Sequence, residues 1–464
     1  MSPSMTRATP LAVRTVLAAL VLGLVAGCGT VATRTAPAPE PVVQSPVIAE
    51  ASQLARDAAG QAGTERTRTE ARIDTLLSQL DDETLAREAA AMPEGDPLYN
   101  YAGRALLRRG LPLPRPFDRV QWQFDAGNRP PADSDGYRPP MRLAVLLPLS
   151  GDLATAASPV RDGLLAGYYG ERRRRPEITF IDTHGTAGGT LSAYDRAVAG
   201  GHDFVVGPLG RDEVDALFGR GTLQVPVLAL NRGTVAPPAG NASFALSPED
   251  EGVAAADYLL DRGARRVLAV GGESDTQQRA IASLRERLAE RGGVVTDVVG
   301  SRTEDFSVFA QKDGGVDAVF LAVRGEDAHG VVPKLAMAGL AGKPRVATSQ
   351  LLSGTGNAEE DSVLDGIAFP TIAWNNRSIR GLPGVESAAA TLPTAKGGGA
   401  RLFAFGFDAW LLTAYLEHLA LSADGRVDGA TGTLRIDGFG HVQRTPAWST
   451  FIGGRQVPLA GAER

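Results

Sequence analysis

Between residues 143 and 147 the chain carries an unbroken apolar run that is short enough to form one β-strand. Pro148 ends the run, and Ser150 and Gly151 supply a turn. A strand that is apolar on both faces is typical of a parallel sheet covered by helices. Apolar positions then recur at helical spacing over residues 160–168. The pattern therefore predicts a strand followed by a helix, as at the start of a βαβ unit.

The same alternation of apolar runs and amphipathic segments continues along the chain. A first series predicts strands at 178–181, 204–206, 225–230 and 244–246. A second series predicts strands at 267–270, 294–299, 318–323 and 346–348, with a helix over about 276–291. Two series of this kind indicate two lobes, each with its own parallel sheet, and hence a cleft between them.

Ligands of open parallel sheets bind beyond the carboxyl ends of the strands, so the turns that follow the first-lobe strands are candidate cleft positions. The candidate cleft residues are Ser150, Gly151, Asp152, Thr183, Gly207, Leu209 and Asn231. Their hydroxyls and backbone amides could bind a small polar ligand, but the turns show no obvious charged clamp for a carboxylate. The alternative is that these residues only form turns and helix caps.

Several local signals predict further elements. Ser247 precedes Pro248 as a helix N-cap, Asp250 is placed to complete a capping box, and this helix should end near Gly263. A strand is predicted at 366–369 and a long helix at 403–419. The segment 381–400 is rich in Gly, Ala and Pro and is predicted to be a mobile loop. Residues 431–442 predict two strands around a glycine turn.

The N-terminal segment predicts export and lipid attachment. Arg7 and Arg14 precede a short apolar run at 16–26, as in a secretory signal peptide. The sequence Val25-Ala-Gly-Cys28 then resembles a bacterial lipobox, in which the cysteine sulfur receives a diacylglyceryl group. Cys28 is the chain's single cysteine, which excludes internal disulfides and cysteine-ligated zinc. Gly29 follows it, at the position where an aspartate would be the usual signal for retention in the inner membrane. This resemblance to lipoprotein sorting signals implies the periplasmic leaflet of the outer membrane.

These signals divide the chain into five segments. We expect a lipoprotein signal peptide at 1–27, a tether at 28–47, a short helical region at 48–111, a proline-rich linker at 112–140 and a two-lobed domain at 141–464. The helical region suits a hairpin or three short helices. It is too short for a stack of helical repeats.

Composition and motifs argue against nucleic-acid binding, the common enzyme classes and a metal site. A net charge of −6 with 6% aromatic residues gives no sign of a nucleic-acid surface. The sequence contains no phosphate loop, zinc-protease motif, nucleophile elbow or Ser-x-x-Lys pair. The five histidines do not stand at metal-ligand spacing, so no metal or cofactor is predicted. Asp182 and Asp408 could form an acid/base pair, although we favour structural roles in a strand-end turn and at the start of the long helix.

Six motifs beyond residue 140 carry a resemblance to the penicillin-binding protein activator family of LpoA-type outer-membrane lipoproteins, which have the type I periplasmic binding protein fold. The motifs are Leu146-Leu-Pro-Leu-Ser-Gly151, Arg161-Asp-Gly163 with Tyr168-Tyr169, Gly207-Pro-Leu209, Val225-Pro-Val-Leu-Ala-Leu-Asn231, Leu246-Ser-Pro-Glu-Asp-Glu251 and Phe405-Gly-Phe-Asp-Ala409. Two departures stand out: the helical region is short for this family, and Pro159 falls within the first helix. We therefore expect that helix to begin at Ser158.

The resemblance implies a non-enzymatic regulator of cell-wall synthesis. Its partner would be a bifunctional penicillin-binding protein, a peptidoglycan synthase that it activates by protein–protein contact while its lipid anchors it in the outer membrane. The alternative is a periplasmic receptor for a small solute, of the branched-chain amino-acid-binding type. An enzyme with an unrecognised site is a third hypothesis. The run Arg172–Arg175, at the expected end of the first helix, suits a solvated surface.

Overall fold

The computed structural model describes residues 45–61, 63–118, 129–353 and 356–459. The chain divides into two compact units, Met1–Ser45 and Pro46–Arg464, and the following description concerns the second. The predicted signal peptide, most of the tether and Cys28 lie outside the described residues. Within the described ranges, no helix combines the length and apolar character needed to cross a membrane.

Four N-terminal helices form the helical region, one more than the largest number predicted. Helices α1–α4 span Pro46–Ala58, Gly63–Ser78, Asp82–Ala91 and Tyr99–Arg108. They share a core with Phe439 of the two-lobed domain. The rings of Tyr101 and Phe439 are 4.6 Å apart, and the buried Arg104 lies over the Phe439 ring while it pairs with Asp74 at 2.9 Å. The helical region is therefore docked on the two-lobed domain.

Lobe 1 contains the first predicted sheet. Strands β1–β5 span Arg142–Leu147, Glu177–Asp182, Phe204–Val206, Val227–Ala229 and Ala242–Ser243, and helices α5–α7 span Ala154–Gly170, Ala187–Ala199 and Arg211–Phe218. The strands pair in parallel in the order β2-β1-β3-β4-β5. The predicted parallel fold is confirmed. The strand predicted at 244–246 is wrong, since β5 ends at Ser243 and the chain then leaves for the other lobe.

Lobe 2 contains the second predicted sheet, also confirmed. Helices α8–α11 span Pro248–Leu260, Asp275–Glu290, Ser307–Ala310 and Gly325–Met337, and strands β6–β9 span Arg266–Gly271, Val294–Gly300, Ala318–Ala322 and Arg345–Ala347. These strands pair in parallel in the order β7-β6-β8-β9. Their apolar side chains are fully buried along β8, as expected for a sheet covered on both faces.

The C-terminal segment joins the lobes. Helices α12–α14 span Ala358–Asp361, Val385–Thr391 and Gly398–Leu421, and strands β10–β14 span Phe369–Thr371, Val427–Asp428, Gly432–Ile436, Val442–Ile452 and Arg455–Pro458. The long strand β13 pairs first with β12 and then with β10 and β14. Single bridges connect this antiparallel sheet to both parallel sheets, Ser243 to His441 on lobe 1 and Val346 to Ala368 on lobe 2.

Helix α14 packs on α5 at very short range and belongs to lobe 1. A Cβ atom added to Gly163 would lie 1.8 Å from the Phe403 carbonyl oxygen, and one added to Gly406 would lie 1.9 Å from the Val160 carbonyl oxygen. Only glycine permits two helix backbones to approach so closely. These glycines fall within two of the family-like sequence motifs, which explains why the motifs include them.

Two local predictions are wrong. Helix α5 begins at Ala154 and not at Ser158, because the turn after β1 already starts helical hydrogen bonding at Leu153. Pro159 therefore lies inside the helix. The segment 381–400 is not a loop throughout, since it contains α13 and the first turn of α14.

The described parts of the predicted linker are packed on the fold: Leu113 and Phe117 belong to the core of the helical region, and residues 129–140 contact lobe 1. The Arg138 amide donates to the Ala414 carbonyl oxygen, and its guanidinium contacts Glu417 at 2.8 Å. The Tyr137 hydroxyl donates to the carbonyl oxygen of Arg174 at 2.7 Å. Residues 119–128 of this linker lie outside the described residues.

Helix α8 starts where the sequence predicts. The Ser247 Oγ atom accepts a hydrogen bond from the Asp250 amide at 3.3 Å, which confirms the N-cap. The predicted capping box is wrong, because the Asp250 carboxylate turns to the guanidinium of Arg232 at 2.8 Å instead. A charge-assisted bond of this kind is stronger than a bond to a neutral backbone amide.

We predict that Ser247→Ala lowers the free energy of unfolding by about 0.5–2 kcal/mol, because one amide at the start of α8 loses its partner. Chemical denaturation of both proteins measures the difference. Ser283→Ala, within α9, is the matched control and should change stability by less than about 0.5 kcal/mol. Equal stability of wild type and the Ser247 variant would contradict the assignment.

Candidate functional site: the cleft between the lobes

The turns after β1 and β2 form one hydrogen-bonded group on the lobe 1 wall of the cleft. Ser150 Oγ lies 2.7 Å from Asp182 Oδ2 and 2.8 Å from His184 Nδ1. Asp182 also accepts the amide hydrogens of Leu149 and His184. Burial raises the pKa of Asp182, but these hydrogen bonds outweigh it and hold that pKa below its ordinary value. Asp182 thus organises a turn, as the structural interpretation predicted.

The group Ser150, Asp182 and His184 does not have the geometry of a catalytic triad. Ser150 Oγ and Asp182 Oδ2 both contact the same ring nitrogen, His184 Nδ1, at 2.8 and 3.1 Å. A triad needs the serine and the carboxylate on opposite ring nitrogens, so that the carboxylate orients the base that serves the serine. This arrangement stabilises the turn instead.

The turns after β3 and β4 form a second group. The amide of Asn231 donates to the Leu209 carbonyl oxygen at 2.9 Å. A Cβ atom on Gly207 would lie 2.0 Å from the Leu146 carbonyl oxygen, and the residue has a φ of +99°, so glycine is required there. The Gly207 amide already donates to the Leu228 carbonyl oxygen.

The seven candidate cleft residues therefore differ in what they offer a ligand. Ser150, Gly151 and Asp152 are exposed at the rim, and Leu209 and Asn231 are half-buried. Thr183 is fully buried, so its hydroxyl is not available on the cleft surface. The structure brings the residues together in two pairs of adjacent turns, and the side chains of Ser150 and Asn231 already bind groups of these turns.

Two ion pairs cross the cleft, and both use the first turn of α8. Asp250 pairs with Arg232, which follows β4 and also donates to the Val442 carbonyl oxygen on β13 at 2.9 Å. Glu251 pairs with Arg401 of α14 at 2.5 Å. Each pair joins a lobe 2 carboxylate to a lobe 1 arginine.

Glu251 is the more deeply buried of the two carboxylates, with a side chain that is 4% exposed. It accepts hydrogen bonds from the Ser349 amide and hydroxyl, each at 2.8 Å. Arg401 contacts the same Ser349 hydroxyl. Acidic residues near a helix N-terminus are favoured by the helix dipole. The carboxylate of Glu251 is therefore satisfied by protein groups from both lobes.

The space left beside this network is small. The cavity has a volume of about 50 Å³ and is lined by Leu246, Pro248, Glu251, Thr276, Gln277, Thr348, Ser349, Gln350 and Arg401. Pockets that bind small ligands usually measure about 300–1,000 Å³. The hydroxyl of Thr348 is buried and has no protein partner among the described residues. A cavity of this size beside polar side chains suits a few water molecules.

Asp408 lies away from the cleft, inside α14 rather than at its start. It is fully buried and accepts hydrogen bonds from the Ala430 amide and from the Thr431 amide and hydroxyl. Burial raises its pKa to about 7, against the effect of these hydrogen bonds. The carboxylate fixes the turn before β12, so it cannot act with Asp182 on a ligand in the cleft.

The residues that close the cleft escaped the sequence analysis for different reasons. Arg232 adjoins the candidate residue Asn231, but the sequence pattern predicts helix capping for its partner Asp250. Arg401 adjoins a segment predicted to be a loop, and its partner is 150 positions away in sequence. The acidic first turn of α8 was the available signal. Among the described residues, no three His, Cys, Asp or Glu side chains could hold a metal ion.

Comparison with known proteins gives a family and a fold. The family model described as "LppC putative lipoprotein" matches residues 137–298 and 295–454. A protein from Photobacterium profundum, named penicillin-binding protein activator LpoA, is 28% identical over 358 residues, which cover 68% of this chain and 57% of that protein. The chain thus spans little more than half the length of this relative.

Two solved structures extend the comparison. Full-length LpoA from Haemophilus influenzae matches with a TM-score of 0.62 and 20% identity, over 88% of this chain and 73% of that one. A protein from Chromobacterium violaceum described as a "putative branched-chain amino acid ABC transporter" matches with a TM-score of 0.54 and 27% identity, over 67% of this chain and 100% of that one. The expected type I periplasmic binding protein fold is confirmed.

We predict that Arg401→Met lowers the free energy of unfolding by about 1–3 kcal/mol, because it leaves the Glu251 carboxylate buried without its cation. Adding Glu251→Gln should recover part of this loss, since the amide can still accept from Ser349. Urea denaturation of the two single variants and the double variant measures a coupling that we expect to exceed about 0.5 kcal/mol. Strictly additive effects on the free energy of unfolding would show that Arg401 and Glu251 do not stabilise each other.

Proposed function

Because this chain belongs to the LppC family of lipoproteins, we propose that it activates a bifunctional peptidoglycan synthase, a class A penicillin-binding protein, by direct contact in the periplasm. The name of the Photobacterium profundum relative supports this activity. The chain would act as a regulator and not as an enzyme.

The observation that carries the proposal is the state of the cleft. A solute receptor must open its lobes, admit a ligand and close around it. Here the lobes are joined by their own ion pairs, Arg232 with Asp250 and Arg401 with Glu251, and the cavity beside the second pair measures about 50 Å³. This arrangement favours a rigid domain that presents its outer surface to another protein.

The receptor hypothesis remains as a second candidate. The similarity to the Chromobacterium violaceum protein supports it, as do the exposed Ser150 hydroxyl and the half-buried Asn231 at the cleft. The ion pairs weigh against it, because a solute would have to displace Arg401 from Glu251. Such displacement would leave a buried carboxylate without its cation.

The proposed site of action requires a lipid anchor. Cys28, which lies outside the described residues, would carry acyl chains and hold the protein on the periplasmic face of the outer membrane. More than one acyl chain gives stable membrane attachment. The synthase would then be reached across the periplasm.

We predict that the purified chain raises the glycan-polymerising or cross-linking rate of a class A penicillin-binding protein. The cleft variant Ser150→Ala with Asn231→Ala should keep this effect within about twofold, a change of about 0.4 kcal/mol that is smaller than the loss of one useful hydrogen bond. Polymerisation of fluorescent lipid II by the synthase is followed without the chain, with the wild-type chain and with the cleft variant.

Three results would contradict this account. In the first, wild type leaves the synthase rate unchanged. In the second, the cleft variant keeps the wild-type melting temperature yet loses stimulation. In the third, wild type binds an amino acid that the variant does not. Either of the last two results would favour the receptor hypothesis over the activator hypothesis.

For the anchor, we predict that Cys28→Ser abolishes palmitate incorporation and processing by the lipoprotein signal peptidase, because the thioether cannot form without the thiol. Metabolic labelling and membrane fractionation measure both. Ser45→Ala, which lies beyond the proposed signal, is the control and should be labelled like wild type. A labelled Cys28 variant would refute lipid attachment at this residue.

A further inference from the structure

We propose that one end of lobe 1, opposite the cleft, is the surface that docks a carboxylate-rich face of the synthase. This inference rests on the proposed function and assigns its contact surface. The surface, which we call the arginine edge, consists of Met141, Tyr169, Arg172, Arg174 and Arg175.

The arginine edge combines exposure with the side chains typical of interface cores. Tyr169 is 70% exposed and Met141 is 43% exposed, and Arg172 and Arg175 are exposed as well. Aromatic residues, methionine and arginine are enriched in protein interfaces, whereas lysine and glutamate are depleted there. Tyrosine and arginine also supply a large share of binding hot spots.

Three cations of this edge have no carboxylate partner among the described residues. Arg173, in the same run, pairs with Glu171 at 2.9 Å and with Asp135 at 3.0 Å. Arg172, Arg174 and Arg175 form no such ion pair in the described ranges. The chain as a whole has a net charge of −6, so this cluster of unpaired arginines runs against the overall charge. A negatively charged partner would supply the missing counter-charges.

The edge is held in place by packed residues beneath it. The Tyr168 ring lies 5.4 Å from the ring of the buried Trp410 and 5.1 Å from the Tyr169 ring. The Arg175 guanidinium donates to the Tyr168 carbonyl oxygen at 3.2 Å and lies over the Tyr168 ring. A surface that is ordered before binding loses less conformational entropy on association.

The location separates this surface from the cleft. Met141 precedes β1, and Arg175 lies just before β2, so the edge lies at the amino ends of the strands. Further along the same end is a groove of about 240 Å³ lined by Tyr194, Asp195, Val198, Ala199, Arg220, Thr222, Leu223 and Gln224. From β2 to β4 the sheet spans three strand spacings of about 4.8 Å each. This end therefore offers more contact area than the five residues alone.

The side chains favour a protein carboxylate over a lipid surface. Guanidinium groups form two parallel hydrogen bonds with a carboxylate or a phosphate, so the apolar side chains decide between the two. Binding to a membrane surface depends on the apolar area that enters the acyl region as well as on attraction to anionic lipids. At this edge only one aromatic ring and one thioether are exposed beside the arginines.

The test compares charge reversal at the edge with an equal charge reversal elsewhere. Arg172→Glu with Arg175→Glu should weaken binding of the full chain to a purified class A penicillin-binding protein by at least about tenfold and lower stimulation accordingly. Arg285→Glu with Arg302→Glu, two exposed lobe 2 arginines, is the matched control and should bind within about twofold of wild type. Tyr169→Ala, which removes no charge, should also weaken binding. Surface plasmon resonance at low and high salt measures binding, and melting temperature checks folding.

The outcomes separate this inference from the proposed function. If wild type neither binds nor stimulates the synthase, both fail. If wild type does so and the folded edge variants bind equally well, only the docking surface is wrong. The inference is also overturned if charge reversal leaves synthase binding intact but removes binding of the Cys28→Ser chain to phosphatidylethanolamine vesicles that contain phosphatidylglycerol. Loss of binding in the edge variants alone, with normal melting, supports it.

Discussion

The first turn of α8 holds the two lobes together through adjacent carboxylates. Asp250 pairs with Arg232 at 2.8 Å, and Glu251 pairs with Arg401 at 2.5 Å. Because the Glu251 side chain is 4% exposed, separation of the lobes would leave its charge without a cation until water entered. Replacing such pairs by apolar residues is often neutral for stability, so we attribute to them the choice of the closed arrangement rather than a large share of the folding energy.

Because the cleft is closed, contact with another protein would use the outer surfaces of the domain. The antiparallel sheet around β13 bridges both parallel sheets, and α1–α4 dock on the turn that contains Phe439. The lobes, the joining sheet and the helical region thus pack into one unit. A rigid unit can present a prepared surface such as the arginine edge, where binding requires little ordering of side chains. The fold that elsewhere encloses solutes would here serve as a scaffold for contact with a synthase.

Sequence patterns were sufficient for the elements whose burial is complete. Apolar runs located every strand of the two parallel sheets except β5, because a strand buried on two faces must be apolar throughout. They failed where a tertiary contact decides the local structure. Asp250 does not form the predicted capping box, because its carboxylate pairs with Arg232. The sequence pattern could not place Arg401 in the cleft, because its partner Glu251 is distant in sequence. Thr183 follows β2 as predicted, yet the turn buries it.

The central claim is that the lobes stay closed without a solute, and a distance measurement across the cleft tests it most directly. Gly188 on lobe 1 and Gly330 on lobe 2 are exposed helical positions where an added Cβ meets nothing within 4 Å. Spin labels attached to cysteines at these two positions, in a Cys28→Ser background, report the separation by double electron–electron resonance. The account predicts one narrow distance distribution that a mixture of amino acids leaves unchanged. A broad distribution that narrows and shortens when amino acids are added would contradict it.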